Sequence, residues 1–176
     1  MEAMDQSIED LVVELSDKLR HRYYGKYRGL VEDVEDGESL GRITAKVPSV
    51  YGDTPSPWAL PSVPFAGNGY GLMLRPEPGD GVWIEFEGGD PSYPIWTGTW
   101  WASREAPSDS LDERVLVTPA GLKIALDDAG RTMELSHPGG ATITLDDKGI
   151  TLKFNAASVV LSATGVKFND GAFEVR

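Results

Sequence analysis

The phrase Leu126-Asp127-Asp128-Ala129-Gly130 returns 19 residues later as Leu145-Asp146-Asp147-Lys148-Gly149. Each copy closes a strict alternation, Leu122-Lys123-Ile124-Ala125-Leu126 in the first and Ala141-Thr142-Ile143-Thr144-Leu145 in the second. A looser third copy, Leu161-Ser162-Ala163-Thr164-Gly165, follows Val159. Alternation with period two is the mark of a strand with one apolar and one polar face. Its repetition between glycine-bearing turns predicts a stack of short strands. The Asp-Asp-x-Gly steps read as turns, because Asp bonds its own neighbouring backbone and Gly accepts φ > 0. A calcium loop needs six or so converging oxygens, more than these steps supply.

This pattern runs through residues 118–176, the predicted shaft. Its inward set is Leu122, Ile124, Leu126, Leu135, Ile143, Leu145, Ile150, Leu152, Phe154, Leu161, Val166 and Phe168, with Lys, Thr, Ser and Asp between them. A lone chain of such short strands leaves its apolar face and its edges in water. Three identical chains around one axis, each contributing one wall, would bury that face. The expectation is an intertwined trimeric β-helix with these twelve side chains as its core.

Residues 7–22 show a different period. Ile8, Leu11, Val12, Leu15 and Leu19 form one apolar stripe at helical spacing, Ser7 is a candidate N-cap, and Glu9 and Asp10 suit the first turn. The stripe fits equally a helix packed on its own domain and one that docks on a partner or on symmetry mates. Residues 24–104 read as short strands: Tyr27–Val31, Gly41–Pro48, Val82–Glu87 and Tyr93–Trp101, separated by a long loop from Ser49 to Gly71 and by tight turns. Strands this short and this numerous predict a small barrel. Ala106-Pro107-Ser108-Asp109-Ser110 reads as a linker. The predicted layout is a helical segment over 1–23, a barrel over 24–104, a linker over 105–117 and the shaft over 118–176.

Charge supports the division and narrows the function. The chain carries a net −12, of which −11 falls on residues 1–117 and −1 on residues 118–176. An acidic balance argues against a phosphate-backbone partner, so no nucleic acid is expected. There is no cysteine, and the two histidines, His21 and His137, lie far apart, which leaves little for thiol, triad or histidine-metal chemistry. No nucleophile elbow, phosphate loop or zinc motif is present, so no enzyme, metal or cofactor is expected. The acidic N-terminus does not resemble a secretory signal, and cytosolic synthesis is expected. Trp96, Trp100 and Trp101 read as barrel core and trimer contacts. Tyr23, Tyr24 and Tyr27 with Lys26 and Arg28 read as a patch facing a partner protein.

The barrel segment also carries a specific pattern. Pro76, Gly79 and Asp80 precede the alternating Val82, Ile84 and Phe86, and Gly89-Asp90, Pro94 and Gly98 follow at fixed spacing. Together with Gly29-Leu30-Val31, Gly41-Arg42-Ile43, Val47-Pro48 and Trp58-Ala59, this resembles the OB-fold domain of contractile-tail spike proteins. That family comprises the phage baseplate assembly protein V group, the central spikes of larger contractile phages, and the spikes of type VI secretion and related injection particles. The resemblance covers about residues 24–104, and the repeat region is similar in kind to the β-helical shaft that follows this domain.

The resemblance implies an all-β protein: an OB barrel with an N-terminal helix, then a trimeric β-helix. It implies a homotrimeric needle assembled into a phage tail or injection particle. A baseplate hub or tube protein would lie at its N-terminal side, a separate PAAR-like tip protein at its C-terminal end, and contact with the target envelope would be transient. Two departures stand out. No lysozyme-like domain is inserted between barrel and shaft, and the His-x-His iron site of some short spikes is absent. The competing readings are an OB-fold carbohydrate- or oligonucleotide-binding module with a trimerising stalk, and a cell-wall hydrolase, which needs only two placed carboxylates.

Overall fold

The computed structural model describes residues 8–175, and the chain divides into two compact units at Arg104/Glu105. Helix α1 (Ile8–Arg20) opens the first. Ser7, the predicted cap, lies outside the described residues. The strands that follow are β1 (Tyr27–Asp33) and β2 (Thr44–Lys46); then come the one-turn helix α2 (Pro48–Tyr51), β3 (Leu60–Pro61), β4 (Ala66–Gly67), β5 (Tyr70–Gly71), β6 (Gly81–Phe86) and β7 (Pro94–Trp100).

Five of these strands form one sheet in the order β2-β1-β6-β7-β3. The two edges meet. Beyond β2, Ile43 pairs with Ala59 beside β3, donating to its carbonyl at 3.2 Å and accepting from its N–H at 2.8 Å. The sheet therefore closes into a barrel, which removes the open edges a five-stranded sheet would present. Along β6 the burial alternates strictly, with Val82, Ile84 and Phe86 inside. They meet Val31, Ile43, Ala45, Val47, Ala59 and Trp96 in a single core. Inside it the Trp96 indole donates to the Gly41 carbonyl at 3.0 Å, so burial costs the ring no unpaired N–H. At the start of β6 the backbone runs against the Trp100 ring. A Cβ on Gly81 would lie 2.5 Å from that ring, so only glycine fits there.

The barrel differs from the sequence reading in two places. The predicted strand over Gly41–Pro48 shortens to β2, because Ile43 leaves the β1 ladder to bridge Ala59. The predicted loop Ser49–Gly71 holds structure: α2 starts at Pro48, where a missing N–H is harmless, and β4 and β5 form a small hairpin. The aromatic-basic patch is partly engaged within the barrel, while Tyr24 stays exposed. Tyr23 and Tyr27 pack on Phe86, Arg28 stacks over Trp83 and Trp100 at 5.4 Å from each ring, and Lys26 pairs with Glu85 at 3.2 Å.

The second unit is one sheet. Strands β8 (Glu113–Val117), β9 (Lys123–Asp127), β10 (Thr132–Ser136), β11 (Ala141–Asp146), β12 (Gly149–Phe154), β13 (Ala157–Ser162), β14 (Gly165–Phe168) and β15 (Phe173–Val175) lie in strict sequence order, every neighbouring pair antiparallel. It is an up-and-down meander, so each interior strand takes both hydrogen-bonding neighbours from its own chain. Strand β8 occupies the end of the stretch read as a linker over 105–117. Its signal is weak because Arg114 interrupts the apolar face while Val115 and Val117 sit on the other.

Candidate trimerisation face

The register of the meander decides which side chains share a face, since residues directly opposite each other in a ladder point the same way. One line runs across all eight strands: Leu116, Ile124, Leu135, Ile143, Leu152, Val159, Phe168, Phe173. A second, two residues along each strand, runs Arg114, Leu126, Met133, Leu145, Ile150, Leu161, Val166, Val175. On the other side of the first line lie Leu122 and, farther along, Ala141, Phe154 and Ala157 in mutual register. All twelve side chains predicted as shaft core fall on these three lines, on one face.

Nothing among the described residues covers that face. Eleven of the twelve are exposed, from 37% at Ile150 and Phe168 to 57% at Phe154, and Val166 is half-buried. The opposite face carries Glu134, Thr144, Thr151 and Lys167 in one line, with Ala125 and Val160 among them. Two apolar grooves of about 420 and 500 Å³ open on the uncovered face, one beside Leu116, Leu122 and Ile124, the other beside Ile143, Leu152 and Phe168. A contiguous apolar surface of this extent is foreign to a soluble monomer and marks an interface.

The repeated Asp-Asp-x-Gly steps hold the strands in this register. The carboxylate Oδ1 of Asp127 accepts the N–H of Ala129 at 3.0 Å and of Gly130 at 3.1 Å. In the second copy Asp146 Oδ1 accepts from Lys148 at 2.8 Å and Gly149 at 3.1 Å. The second aspartate of each step turns outward to an arginine, Asp128 to Arg114 at 2.7 Å and Asp147 to Arg131 at 3.1 Å. At the first strand, Glu113 accepts from Lys123 Nζ and from Ser108 Oγ, at 2.7 and 2.6 Å. Those bonds, the lysine's above all, hold its carboxyl below the usual glutamate range.

Leu116 and His137 also belong to this surface, outside the predicted shaft core. Leu116 joins the first line from a strand whose pattern Arg114 obscures. His137 sits in the third line between Leu122 and Ala141, its backbone N–H bonded to the Ala141 carbonyl at 2.9 Å and its Nδ1 accepting from the Gly139 N–H at 2.9 Å. Of the tryptophans, Trp96 is barrel core and Trp100 half-buried with its Nε1–H on the Val82 carbonyl at 3.2 Å, but Trp101 is exposed and takes no part in the core. No group of three or more His, Asp or Glu side chains that could hold a metal exists among the described residues.

An OB barrel followed by a one-sided antiparallel sheet defines the class, and comparison with protein families agrees. Residues 27–101 match the type VI secretion system/phage-baseplate injector OB domain, and residues 113–174 match the phage baseplate V C-terminal trimerisation domain. The two matches span most of the chain, which belongs to this family of baseplate spike proteins. The trimerisation match makes it a homotrimer, and the family is a structural one. No curated protein matches the chain.

Proposed function

We propose that the chain is the central needle of a phage tail or contractile injection particle, joined to the tube hub at its barrel side and driven through the target envelope by sheath contraction. The observation that carries this reading is the three-line apolar face. Three copies that turn these faces toward a common axis bury Ile124, Leu135, Ile143, Leu152 and their neighbours against one another, and present Glu134, Thr144 and Lys167 to water. Side chains from adjoining copies fill the two grooves.

Such a shaft resists axial load well. Each strand is tied by backbone ladders to the next strand of its own chain, and each wall is tied to two others by apolar burial, so bending would break many bonds together. The outer edge of β15 carries no further strand among the described residues, and a separate PAAR-like tip protein is the expected partner there. In this division of labour the barrel attaches and the sheet penetrates; neither needs a catalytic group.

The test of the needle reading is assembly. Incubated with purified particles lacking this chain, the protein should restore complete baseplates, seen by electron microscopy as an axial density below the tube. Particles that assemble fully and puncture envelopes without it would refute the reading.

A further inference from the structure

Helix α1 has an apolar seam of its own that its protomer leaves in water. Ile8, Val12, Leu15 and Leu19 are separated by four, three and four residues, the spacing that keeps a seam on one side of a supercoiled helix. In the single chain they are 80, 59, 59 and 57% exposed. Asp10, Glu14 and Asp17 fall on the opposite side of the helix by the same count.

We propose that this seam is covered by the α1 helices of the other two protomers, forming a short parallel three-helix coiled coil upstream of the barrels. The inference rests on the homotrimer. Chains related by one threefold axis present their helices parallel and in identical register, which is the arrangement a self-complementary seam requires. The chain leaving each helix is pinned to its own barrel. The Tyr23 N–H donates to the Gly89 carbonyl at 2.8 Å, and Arg22 Nη1 lies 3.1 Å from Asp90 Oδ2. Three helices thus emerge from three fixed, equivalent points, and their effective concentration is set by the assembly rather than by the solution.

Energetics favour this occupant. A helix of 13 residues is marginal alone in water, and most helical stability in proteins comes from packing an apolar face. The seam residues do not themselves choose the number of strands: Val12 with Leu15 suits a pair, while Ile8 and Leu19 suit larger bundles. The trimerisation domain makes that choice for them.

The chain has no cysteine, so single cysteines report position cleanly. In the full chain, Val12→Cys places a thiol in the seam and Asp17→Cys places one on the far side. Native mass spectrometry first verifies that both variants are trimers. Under mild oxidation Val12→Cys should give roughly tenfold more covalent dimer than Asp17→Cys, since only seam positions approach to disulfide distance. Separately, Leu15→Asp should leave the native mass trimeric and remove most of the helical signal at 222 nm. A trimer in which both cysteines cross-link equally, or one that keeps its helical signal with Leu15→Asp, overturns the proposal alone and leaves the seam for a hub protein. A monomeric native mass overturns it together with the homotrimer.

Discussion

Ile143 and Leu152 are direct cross-strand partners, and Leu152 is in turn opposite Val159 on the next strand. That relation, repeated from β8 to β15, converts a sequence alternation into a surface. Each hairpin carries its apolar residues forward by one strand without changing face, so the line of contacts runs along the sheet while the strands run across it. A single register slip in any hairpin would turn the downstream strand's apolar residues to the solvent side. The turns are therefore as important to assembly as the leucines.

Gly149 tests this dependence. It closes the second Asp-Asp-x-Gly step with φ +143°, and a Cβ there would collide with the Leu161 carbonyl on β13. Gly149→Ala must displace backbone, and we expect a loss of more than about 1 kcal/mol per chain. Gly130, its counterpart, is not at positive φ, and a Cβ there meets the Asp127 carboxylate, which can rotate away. Gly130→Ala should be the milder change. Thermal unfolding of the two variants side by side checks the order.

Asp36 organises the loop between β1 and β2. Its Oδ1 accepts Arg42 Nη2 at 2.7 Å and Nε at 3.0 Å, while Oδ2 accepts the N–H groups of Leu40 and Arg42 at 2.7 and 3.1 Å. The Arg42 guanidinium, foremost, holds the Asp36 carboxyl far below its ordinary value of 3.8. A depressed carboxylate contributes stability that is complete above the unfolded value and is lost as the pH falls from there toward the folded value. The melting temperature of the wild type should accordingly fall as the pH drops below about 4. Asp36→Asn should melt lower at neutral pH and show a shallower fall on the acid side.

Tyr51 supplies an alkaline counterpart. Its hydroxyl donates to the Pro91 carbonyl at 2.5 Å, and burial, with the Asp90 charge adding to it, pushes its pKa up to about 12. A raised phenol contributes stability that is complete below the unfolded value near 10 and lost as the pH rises through the folded one. Ultraviolet titration of the folded protein should show one of its six tyrosines ionising near pH 12, and Tyr51→Phe should remove that step.

The shaft was readable because its physics is local. A period of two, interrupted by Gly-bearing turns, specifies both the strands and their apolar side, and the twelve predicted core residues fall on one face. Strand β8 was lost to one residue, since Arg114 takes a position that Met133 and Leu145 hold elsewhere in the same line. In the barrel the failures are non-local. Arg28 meets Trp83 and Trp100 only because the fold brings them against it from strands more than 50 positions away. Pro48 reads from the sequence as the end of a strand and is the start of a helical turn. The helix seam was visible as a stripe, but its exposure could be learned only from a barrel core already complete without it.

The central claim is that the uncovered apolar face closes the trimer. Sedimentation equilibrium of Leu152→Asp and Thr151→Asp tests it most directly, because the two residues are adjacent on β12 and point to opposite faces. The Leu152 change would bury an unpaired carboxylate in each of three chains, at a cost of several kcal/mol apiece. The account predicts that the wild type and Thr151→Asp sediment at three times the 19.1 kDa chain mass and that Leu152→Asp sediments as a monomer. A trimer of undiminished stability with Leu152→Asp, or dissociation caused by Thr151→Asp alone, would contradict it.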